Sequence, residues 1–254
     1  MILEGVKVVE LSTLWAVPGS ALYLADQGAD VVKAEPPSGD ESRRIFTSRA
    51  LDNESPSYFA LNRNKRGICA DIRTAEGLAI VHKLVSEGDV LIHNYRPAVA
   101  ERLGVSYERL SKINRRLIYA ELSGYGKEGP YADRGAYDLI LQALSGVMHR
   151  RAADGTPIGA GIWAADCSMP MLLAYGIALG LYNRDRTGKG TRLEMEHPVG
   201  GHMVTTNTPL RFPKHPTKHR SRAPLQGEHT DEVLTALGYD EARLGKLREA
   251  GVIS

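Results

Sequence analysis

The first half of the chain alternates short apolar runs with amphipathic stretches of helical length. Thr74 and Gly88 bound one such stretch as an N-cap and a C-terminal glycine. The pattern predicts strands at 6–11, 30–35, 67–71, 89–94 and 117–124, and helices at 19–28, 74–88 and around 106–114. Because strands that alternate with helices form βαβ units, we expect a parallel sheet with helices on both faces.

A long uncharged stretch, residues 167–183, follows the motif GIWAAD. It is short for a membrane span and is diluted by Pro170 and two glycines, so we interpret it as a buried core helix. We expect Pro170 in the first turn of this helix and Asp166 just ahead of it. Residues 183–198 predict a turn that leads into another strand.

The C-terminal part of the chain changes character. Residues 208–230 are rich in proline and basic residues, with little apolar periodicity, which predicts an extended surface connector. Two short helices broken at Gly238 are expected after it. The predicted fold is therefore α/β, a Rossmann-like, mostly parallel sheet with helices on both faces, a C-terminal extended connector and short helices. We expect residues 1–193 to form a large domain that residues 194–254 complete.

Composition favours small-molecule chemistry. The chain has 254 residues, 43% hydrophobic and 24% charged, with a formal net charge of +2. This balance provides no field suited to nucleic acid or membrane lipid, so neither is expected as a partner. The turn after the first strand, ELSTLWAVPGSAL, contains neither GxGxxG nor GxxxxGK[ST], so neither a dinucleotide nor a P-loop phosphate site is predicted.

Cysteine and histidine positions point to no metal site and no disulfide. Cys69 and Cys167 lie far apart without zinc-type spacing, which favours a reducing, cytoplasmic location. His215 and His219 have i, i+4 spacing, but the prolines around them disfavour a helix there. The N-terminal apolar run is interrupted by charges, so we expect no signal peptide or anchor.

Polar and basic residues follow several predicted strands. Arg73 comes after one strand, Asn94, Tyr95 and Arg96 after the next, and Arg102 a turn later. The carboxyl ends of parallel strands converge, so these groups could bind a phosphorylated, purine-bearing ligand. Ordinary surface arginines are the alternative interpretation.

Asp166 has three interpretations from the residues alone: a helix cap, a buried structural acid or a nucleophile. The expected helix dipole favours its ionised form, and Gly159 and Gly161 would allow a ligand to approach the backbone. Cys167 is a competing nucleophile, but it lacks an identifiable His and Asn arrangement, so we interpret it as a packed thiol.

Four segments together carry a family resemblance. GVKVVELSTLWAVPGSALYLADQGADVVKAE at 5–35, NRNKRGICADIRTAEG, DVLIHNYRP and GYGKEGPYADRGAYDLILQALSG resemble the family III CoA-transferases. This group includes formyl-CoA and carnitine CoA-transferases and α-methylacyl-CoA racemase. The resemblance runs from residue 2 to about 193 and resumes in the tail at EHPVGGHMV, TPLRF and APLQGEHTDEVLTALGY.

The resemblance implies that Asp166 is the catalytic carboxylate, which passes through an aspartyl-CoA thioester while CoA moves from an acyl-CoA to a carboxylic acid. It implies backbone oxyanion donors near Trp15 and Ala16, and a catalytic position at Tyr137. Coenzyme A is then a substrate, with no permanently bound cofactor. The implied CoA contacts are Ala70, Asp71, Ile72, Arg73, Asn94, Tyr95, Arg96, Arg102, Leu103, Arg134, Gly135 and Ala136.

Two features of the chain keep alternatives open. Tyr137 stands where the racemases of the group have a histidine, which favours transfer over racemisation because tyrosine titrates near 10. Family members are longer, and TGKGTRLE here passes directly to MEHPVGGHMV, so we expect their inserted small domain to be absent. A non-catalytic or weakly active acyl-CoA-binding remnant, a racemase and a thioesterase are therefore the alternatives to a transferase. The resemblance also implies a homodimer.

Overall fold

The computed structural model of the chain describes residues 1–51, 53, 55–196, 210–211, 234–235 and 240–249. A seven-stranded sheet is the centre of the fold. Its strands are β1 (Lys7–Leu11), β2 (Asp30–Glu35), β3 (Lys65–Cys69), β4 (Val90–His93), β5 (Ile118–Ser123), β6 (Thr191–Glu196) and β7 (Leu210–Arg211). The helices are α1 (Ala16–Asp26), α2 (Pro56–Asn62), α3 (Ala75–Glu87), α4 (Pro97–Arg102), α5 (Tyr107–Ile113), α6 (Asp138–Leu144), α7 (Ala164–Thr187) and α8 (Glu241–Glu249).

The strand order is β3-β2-β1-β4-β5-β6-β7. The first six strands are parallel, and the short β7 runs antiparallel to β6. Val9 of β1 lies opposite Val32 of β2 on one side and Leu91 of β4 on the other. The chain therefore reverses its direction of winding between β1 and β4, which is where doubly wound sheets bind ligands beyond the strand carboxyl ends.

Alternate residues of each strand belong to two separate hydrophobic cores, one on each face of the sheet. Val8 and Ile92 pack with Val17 of α1 and Leu173 of α7 on one face. Val9 and Leu91, one position along, belong to the core on the other face together with residues of α3, α4 and α5. This period of two confirms the predicted α/β fold, with helices on both faces of a mostly parallel sheet.

Helix α3 begins as the sequence predicts, because the Thr74 side chain accepts a hydrogen bond from the amide of Gly77. Helix α1 begins earlier than predicted, at Ala16, with Trp15 as its N-cap. The interpretation of the motif before α7 was wrong in detail. Asp166 lies inside the first turn of α7 rather than ahead of it, and Pro170 lies beyond that turn.

Pro170 brings α7 against α1. A Cβ at Gly19 of α1 would lie 3.0 Å from Cγ of Pro170, so only glycine lets the two helices approach this closely. Pro170 also has no N–H for the carbonyl of Asp166, four residues earlier. The contact places the first turns of α1 and α7 side by side.

Helix α7 is buried on one face only, so the prediction of a buried core helix was half right. Its inner face includes Leu173 and Ile177, whereas Met171, Tyr175 and Tyr182 on the opposite side are 57%, 56% and 64% exposed. By length and composition alone α7 could cross a membrane. Its contacts with the sheet and with α1 are those of a core helix.

The chain separates into two compact units, residues 1–216 and 217–254. In the second unit, α8 corresponds to the later of the two predicted short helices. Gly238 and most of the predicted connector lie outside the described residues. Within that connector, Leu210 and Arg211 form β7, so this part is a strand rather than a free extended segment. The predicted boundary at residue 193 stays a prediction.

Candidate active site

A cavity of about 300 Å³ opens at the carboxyl ends of β1, β4 and β5, where the winding reverses. It is lined by Thr13, Leu14, Trp15, Ala16, Glu41, Asn94, Arg96, Leu122, Ser123, Gly124, Ala132, Arg134, Gly135, Ala136, Tyr137, Asp138, Leu141, Ala165, Asp166 and Met169. All four predicted catalytic residues are in this set. So are five of the predicted CoA contacts, namely Asn94, Arg96, Arg134, Gly135 and Ala136.

One wall of the cavity is the loop from β1 to α1. Leu14 has φ +68°, a left-handed conformation that costs a leucine about 1–2 kcal/mol. Among the described residues no side chain caps α1 at Trp15, and Pro18 has no N–H, so the amides of Ala16 and Val17 are the first-turn donors without an intrahelical acceptor. These amides, beginning at Ala16, are positioned to bind a developing negative charge.

Asp138 caps the helix that carries Asp166. Its Oδ1 accepts hydrogen bonds from the amides of Ala165 at 2.6 Å and Asp166 at 3.2 Å. Asp138 itself lies in the first turn of α6, so two helices meet at one carboxylate. The sequence motif GAYD contained this residue, but only the tertiary structure shows that it bonds to the backbone of the GIWAAD motif.

The surroundings of Asp166 disfavour ionisation of its carboxyl group, whereas the sequence predicted that they favour it. Burial raises its pKa first, and the nearby Asp138 carboxylate adds to the effect, which brings the pKa to about 6. The helix dipole that was expected to favour the ionised form is already satisfied by the charge of Asp138 at the same helix end. Asp166 is therefore an ionised but poorly solvated carboxylate near neutral pH.

Gln142 of α6 fixes the segment that leads to Asp166. Its Nε2 donates to the carbonyl of Ile162 at 2.8 Å and to Asp138, and its Oε1 accepts from the amide of Ala160 at 2.8 Å. Gly161 in this segment has φ +84°, a conformation suited to glycine. Gly161 thus serves the chain's own turn, and the approach of a ligand to the backbone at Gly159 and Gly161 stays a prediction.

Asn94 has a structural role that the sequence did not reveal. Its Oδ1 accepts from the amide of Thr13 at 3.3 Å, and its Nδ2 donates to the carbonyl of Thr13 at 2.9 Å. The side chain thereby ties the end of β4 to the β1–α1 loop. It lines the cavity, but its amide group is already engaged, so the predicted CoA contact would use its remaining surface.

The loop 134–137 packs closely over the end of β5. A Cβ at Gly135 would lie 2.7 Å from Nη2 of Arg96, and Arg96 Nη1 donates to the carbonyl of Asp133 at 3.1 Å. The guanidinium of Arg134 lies 4.5 Å from the ring centre of Tyr131. Two cationic side chains, Arg96 and Arg134, therefore line the cavity that contains Asp166.

The other predicted CoA contacts do not line this cavity. They are Ala70, Asp71, Ile72, Arg73, Tyr95, Arg102 and Leu103. Ile72, Tyr95 and Leu103 pack against the core beside α3 and α4, and Arg73 is paired with Asp71 at 2.8 Å on the surface. Their role in CoA binding stays a prediction.

A buried ion network underlies the β1–α1 loop. Lys33 Nζ lies 2.9 Å from Glu10 Oε1 and 2.9 Å from Asp40 Oδ2, and Lys65 Nζ lies 2.9 Å from Glu10 Oε2. Burial opposes ionisation of the two acids, but the lysines and the hydrogen bonds from Ser12 and Ser42 lower the pKa of each. Two acids and two lysines balance in charge. Charged residues inside apolar strands were the sequence signal for this network, and it was missed.

Three aromatic rings pack beside the start of α7. Trp15 and Trp163 have ring centres 4.0 Å apart, and Phe46 lies 6.4 Å from Trp15 and 6.1 Å from Trp163. Cys167, next to Asp166, is exposed rather than packed, because it lies on the outer side of the first turn of α7. In the described part of the chain no three His, Cys, Asp or Glu side chains cluster as metal ligands, and His215 and His219 lie outside it.

Comparison with known proteins identifies the family of the chain. The family model for CoA-transferase family III matches residues 3–196. The succinate–glutarate CoA-transferase of Agrobacterium fabrum is 38% identical over 200 residues, which cover 76% of this chain and 50% of that protein. The formyl-CoA:oxalate CoA-transferase of Streptomyces avermitilis is 36% identical over 201 residues, covering 78% and 48% of the two chains.

Solved structures show the same fold. A CAIB/BAIF family protein from Brucella suis superposes with a TM-score of 0.69 at 38% identity, covering 75% of this chain and 51% of that chain. A hypothetical protein from Mycobacterium tuberculosis superposes with a TM-score of 0.72 at 28% identity, covering 77% and 54%. The chain spans about half the length of the curated relatives it matches.

Proposed function

The chain belongs to CoA-transferase family III, and from this premise we propose that it moves CoA between an acyl-CoA thioester and a carboxylic acid through Asp166. One observation carries the proposal. Asp166, the uncapped start of α1, Arg96 and Arg134 line one cavity at the point where the sheet reverses its winding. A carboxylate nucleophile, backbone donors and cations for a phosphorylated substrate are thus together.

The proposed reaction consists of acyl exchanges that balance without added water or protons. The Asp166 carboxylate attacks the thioester carbonyl, and the C–S bond breaks to give a mixed anhydride and CoA thiolate. The thiolate attacks the Asp166 carbonyl, releasing the donor carboxylate and leaving an aspartyl-CoA thioester. The acceptor carboxylate attacks that thioester and displaces the thiolate, which leaves a second mixed anhydride. The thiolate then attacks the acceptor's acyl carbonyl in this anhydride, which gives the acceptor's CoA thioester and regenerates the Asp166 carboxylate.

The local structure supports each half of this scheme. Partial burial leaves Asp166 less solvated and more basic than an ordinary aspartate, which strengthens it as a nucleophile. The amides of Ala16 and Val17 would stabilise the oxyanion that forms on the attacked carbonyl. Arg96 and Arg134 would bind CoA phosphates through paired donors.

Trapping the covalent intermediate tests the proposal. The chain is incubated with succinyl-CoA and with a panel of other acyl-CoA thioesters in the presence of hydroxylamine, and peptides are analysed by mass spectrometry. A hydroxamate on Asp166 is expected, and it is expected to be absent in Asp166→Asn. Asp185→Asn, an exposed acid on the same helix, is the matched control and keeps the adduct. Absence of an adduct with every thioester contradicts the proposal.

Binding without turnover is the second candidate function, because Arg96 and Arg134 line the cavity whether or not Asp166 reacts. Calorimetry with CoA together with a transfer assay separates the two, because tight binding without exchange identifies a binding protein. Free CoA release without an acceptor identifies a thioesterase, and deuterium exchange at the substrate α-carbon identifies a racemase.

Homodimerisation and a cytoplasmic location belong to the same proposal. The apolar outer face of α7, with Met171, Tyr175 and Tyr182, supports a second copy as its partner. Sedimentation of the wild-type chain and of Tyr175→Glu tests this, with a loss of dimer expected in the variant. The exposed free thiols of Cys69 and Cys167 support a reducing compartment, which cell fractionation checks.

A further inference from the structure

The buried carboxylate of Asp40 accepts a hydrogen bond from the backbone of Leu14. The amide of Leu14, whose φ is +68°, donates to Asp40 Oδ1 at 3.1 Å. The same oxygen accepts from the amide and hydroxyl of Ser42 at 2.9 and 2.7 Å, and Asp40 is 1% exposed. An unfavourable backbone conformation persists only where its surroundings fix it, and Asp40 supplies that constraint.

Lys33 holds the carboxylate in place. Its ammonium contacts Asp40 Oδ2 and Glu10 Oε1 and donates to the carbonyl of Ser12, each at 2.9 Å. The contacts with Glu10 and Ser12 are hydrogen bonds, and the contact with Asp40 is an ion pair. One buried cation therefore joins the support under Leu14 to the other end of the same loop.

We propose that Asp40, held by Lys33, is a positioning residue for CoA transfer, because it fixes Leu14 so that the amides at the start of α1 face the carbonyl attacked by Asp166. Leu14 and Asp166 line the same cavity, whereas Asp40 does not, so Asp40 acts through the loop rather than by touching substrate. This inference rests on the proposed function, which it deepens.

Kinetics of Asp40 variants test the inference. Asp40→Ala is expected to lower kcat about 100-fold, since a small displacement of catalytic groups has effects of this size, while KM for acyl-CoA changes less than about threefold. Asp40→Asn keeps an oxygen that can accept from Leu14 and is expected to recover about tenfold of that loss. The matched control is Asp30→Asn, an exposed acid at the start of β2, the strand that carries Lys33, with kcat within about twofold of wild type.

A spectroscopic measurement separates this inference from the proposed function. The chain has two tryptophans, Trp15 and Trp163, so two indole N–H signals are expected in a ¹⁵N-correlated NMR spectrum, and Trp163→Phe assigns them. Asp40→Ala is expected to shift or broaden the Trp15 signal, and Asp30→Asn is expected to leave it unchanged. If the wild-type chain transfers no CoA, the proposed function fails, and the Trp15 signal alone still decides whether Asp40 fixes the loop.

Either variant of Asp40 can overturn the inference. A folded Asp40→Ala chain with wild-type kcat, a loss confined to KM, or an unaltered Trp15 signal overturns the inference. If Asp40→Ala does not fold, Asp40→Asn decides, and an unchanged kcat and Trp15 signal in that variant overturn it equally.

Discussion

The two acid clusters beside the cavity are both withdrawn from water, yet their acids respond in opposite directions. Asp40 and Glu10 under the β1–α1 loop have lowered pKa values, whereas the pKa of Asp166 is raised to about 6. Burial acts in the same direction on all three. Buried lysines reverse its effect in the first cluster, and the second carboxylate of Asp138 reinforces it in the other.

The difference teaches how one small region separates rigidity from reactivity. The cluster of Glu10, Asp40 and their two lysines is balanced in charge. It fixes the backbone of the β1–α1 loop, and its acids are already paired. The cluster with two acids keeps a carboxylate near its titration range, which makes it a better base and nucleophile. Four changes would break or sharpen this comparison.

Removing the cation of the balanced cluster is expected to have the largest effect. Lys33→Met leaves two buried acids, Glu10 and Asp40, with Lys65 as the one remaining lysine of the network. The free energy of unfolding should therefore fall by about 3–5 kcal/mol at pH 7. Urea denaturation measures this. Lys33→Met/Asp40→Asn restores charge balance and should recover part of the loss.

The control for that change is Lys83→Met, which removes an exposed lysine paired with Glu87 and should leave the free energy of unfolding nearly unchanged. An equal loss in Lys33→Met and Lys83→Met would show that the buried network contributes nothing beyond a surface pair.

Neutralising Asp166 is expected to stabilise the protein at neutral pH. The pKa of Asp166 is higher in the folded state than the unfolded value near 3.8, so its protonation stabilises the folded wild-type chain. This stabilisation is complete below pH 3.8 and is lost as the pH rises through about 6. Asp166→Asn should therefore gain about 1–2 kcal/mol relative to wild type between pH 4 and pH 7. Thermal unfolding across this pH range measures it. A difference independent of pH would contradict the raised pKa.

Removing the second acid should lower the pKa of Asp166 only partly. Asp138→Asn deletes the neighbouring charge while an amide oxygen can still accept from Ala165, but burial is the larger cause and persists. A ¹³C NMR titration of the Asp166 carboxyl should therefore give a midpoint between 3.8 and 6. Asp154→Asn, an exposed acid, is the control. An unchanged midpoint would mean that burial acts alone.

The substitution with the smallest expected effect, Gly135→Ala, alters the cavity and leaves both acid clusters unchanged. Gly135→Ala would place a Cβ against Nη2 of Arg96, whose flexible guanidinium can move aside at little cost to stability. CoA affinity, measured by calorimetry, should weaken about threefold to tenfold if Arg96 binds phosphate. Gly67→Ala, where a Cβ meets open space, should leave affinity unchanged. Equal affinities in both variants would remove Arg96 from the phosphate site.

Much of the site could be predicted because its residues follow strands or lie in contiguous motifs. Trp15 and Tyr137 lie in segments whose letters carry the family resemblance, Asp166 lies within the range that the resemblance spans, and the cavity contains all three. Asp138, Gln142 and Lys33 were missed because their importance depends on atoms far along the chain. Lys33 acts on Ser12, and Asp138 acts on Ala165, contacts that no local pattern records.

The sequence by itself determined the parallel α/β sheet, the family and the location of the cavity at the strand ends. Hydrophobic periodicity and motifs are properties of local segments, and parallel strands that alternate with helices bind ligands at their carboxyl ends. Only the tertiary structure decided the charge state around Asp166 and the support under Leu14. A pKa depends on burial and on neighbouring charges summed in space, and the packing of α7 against α1 and α6 sets both.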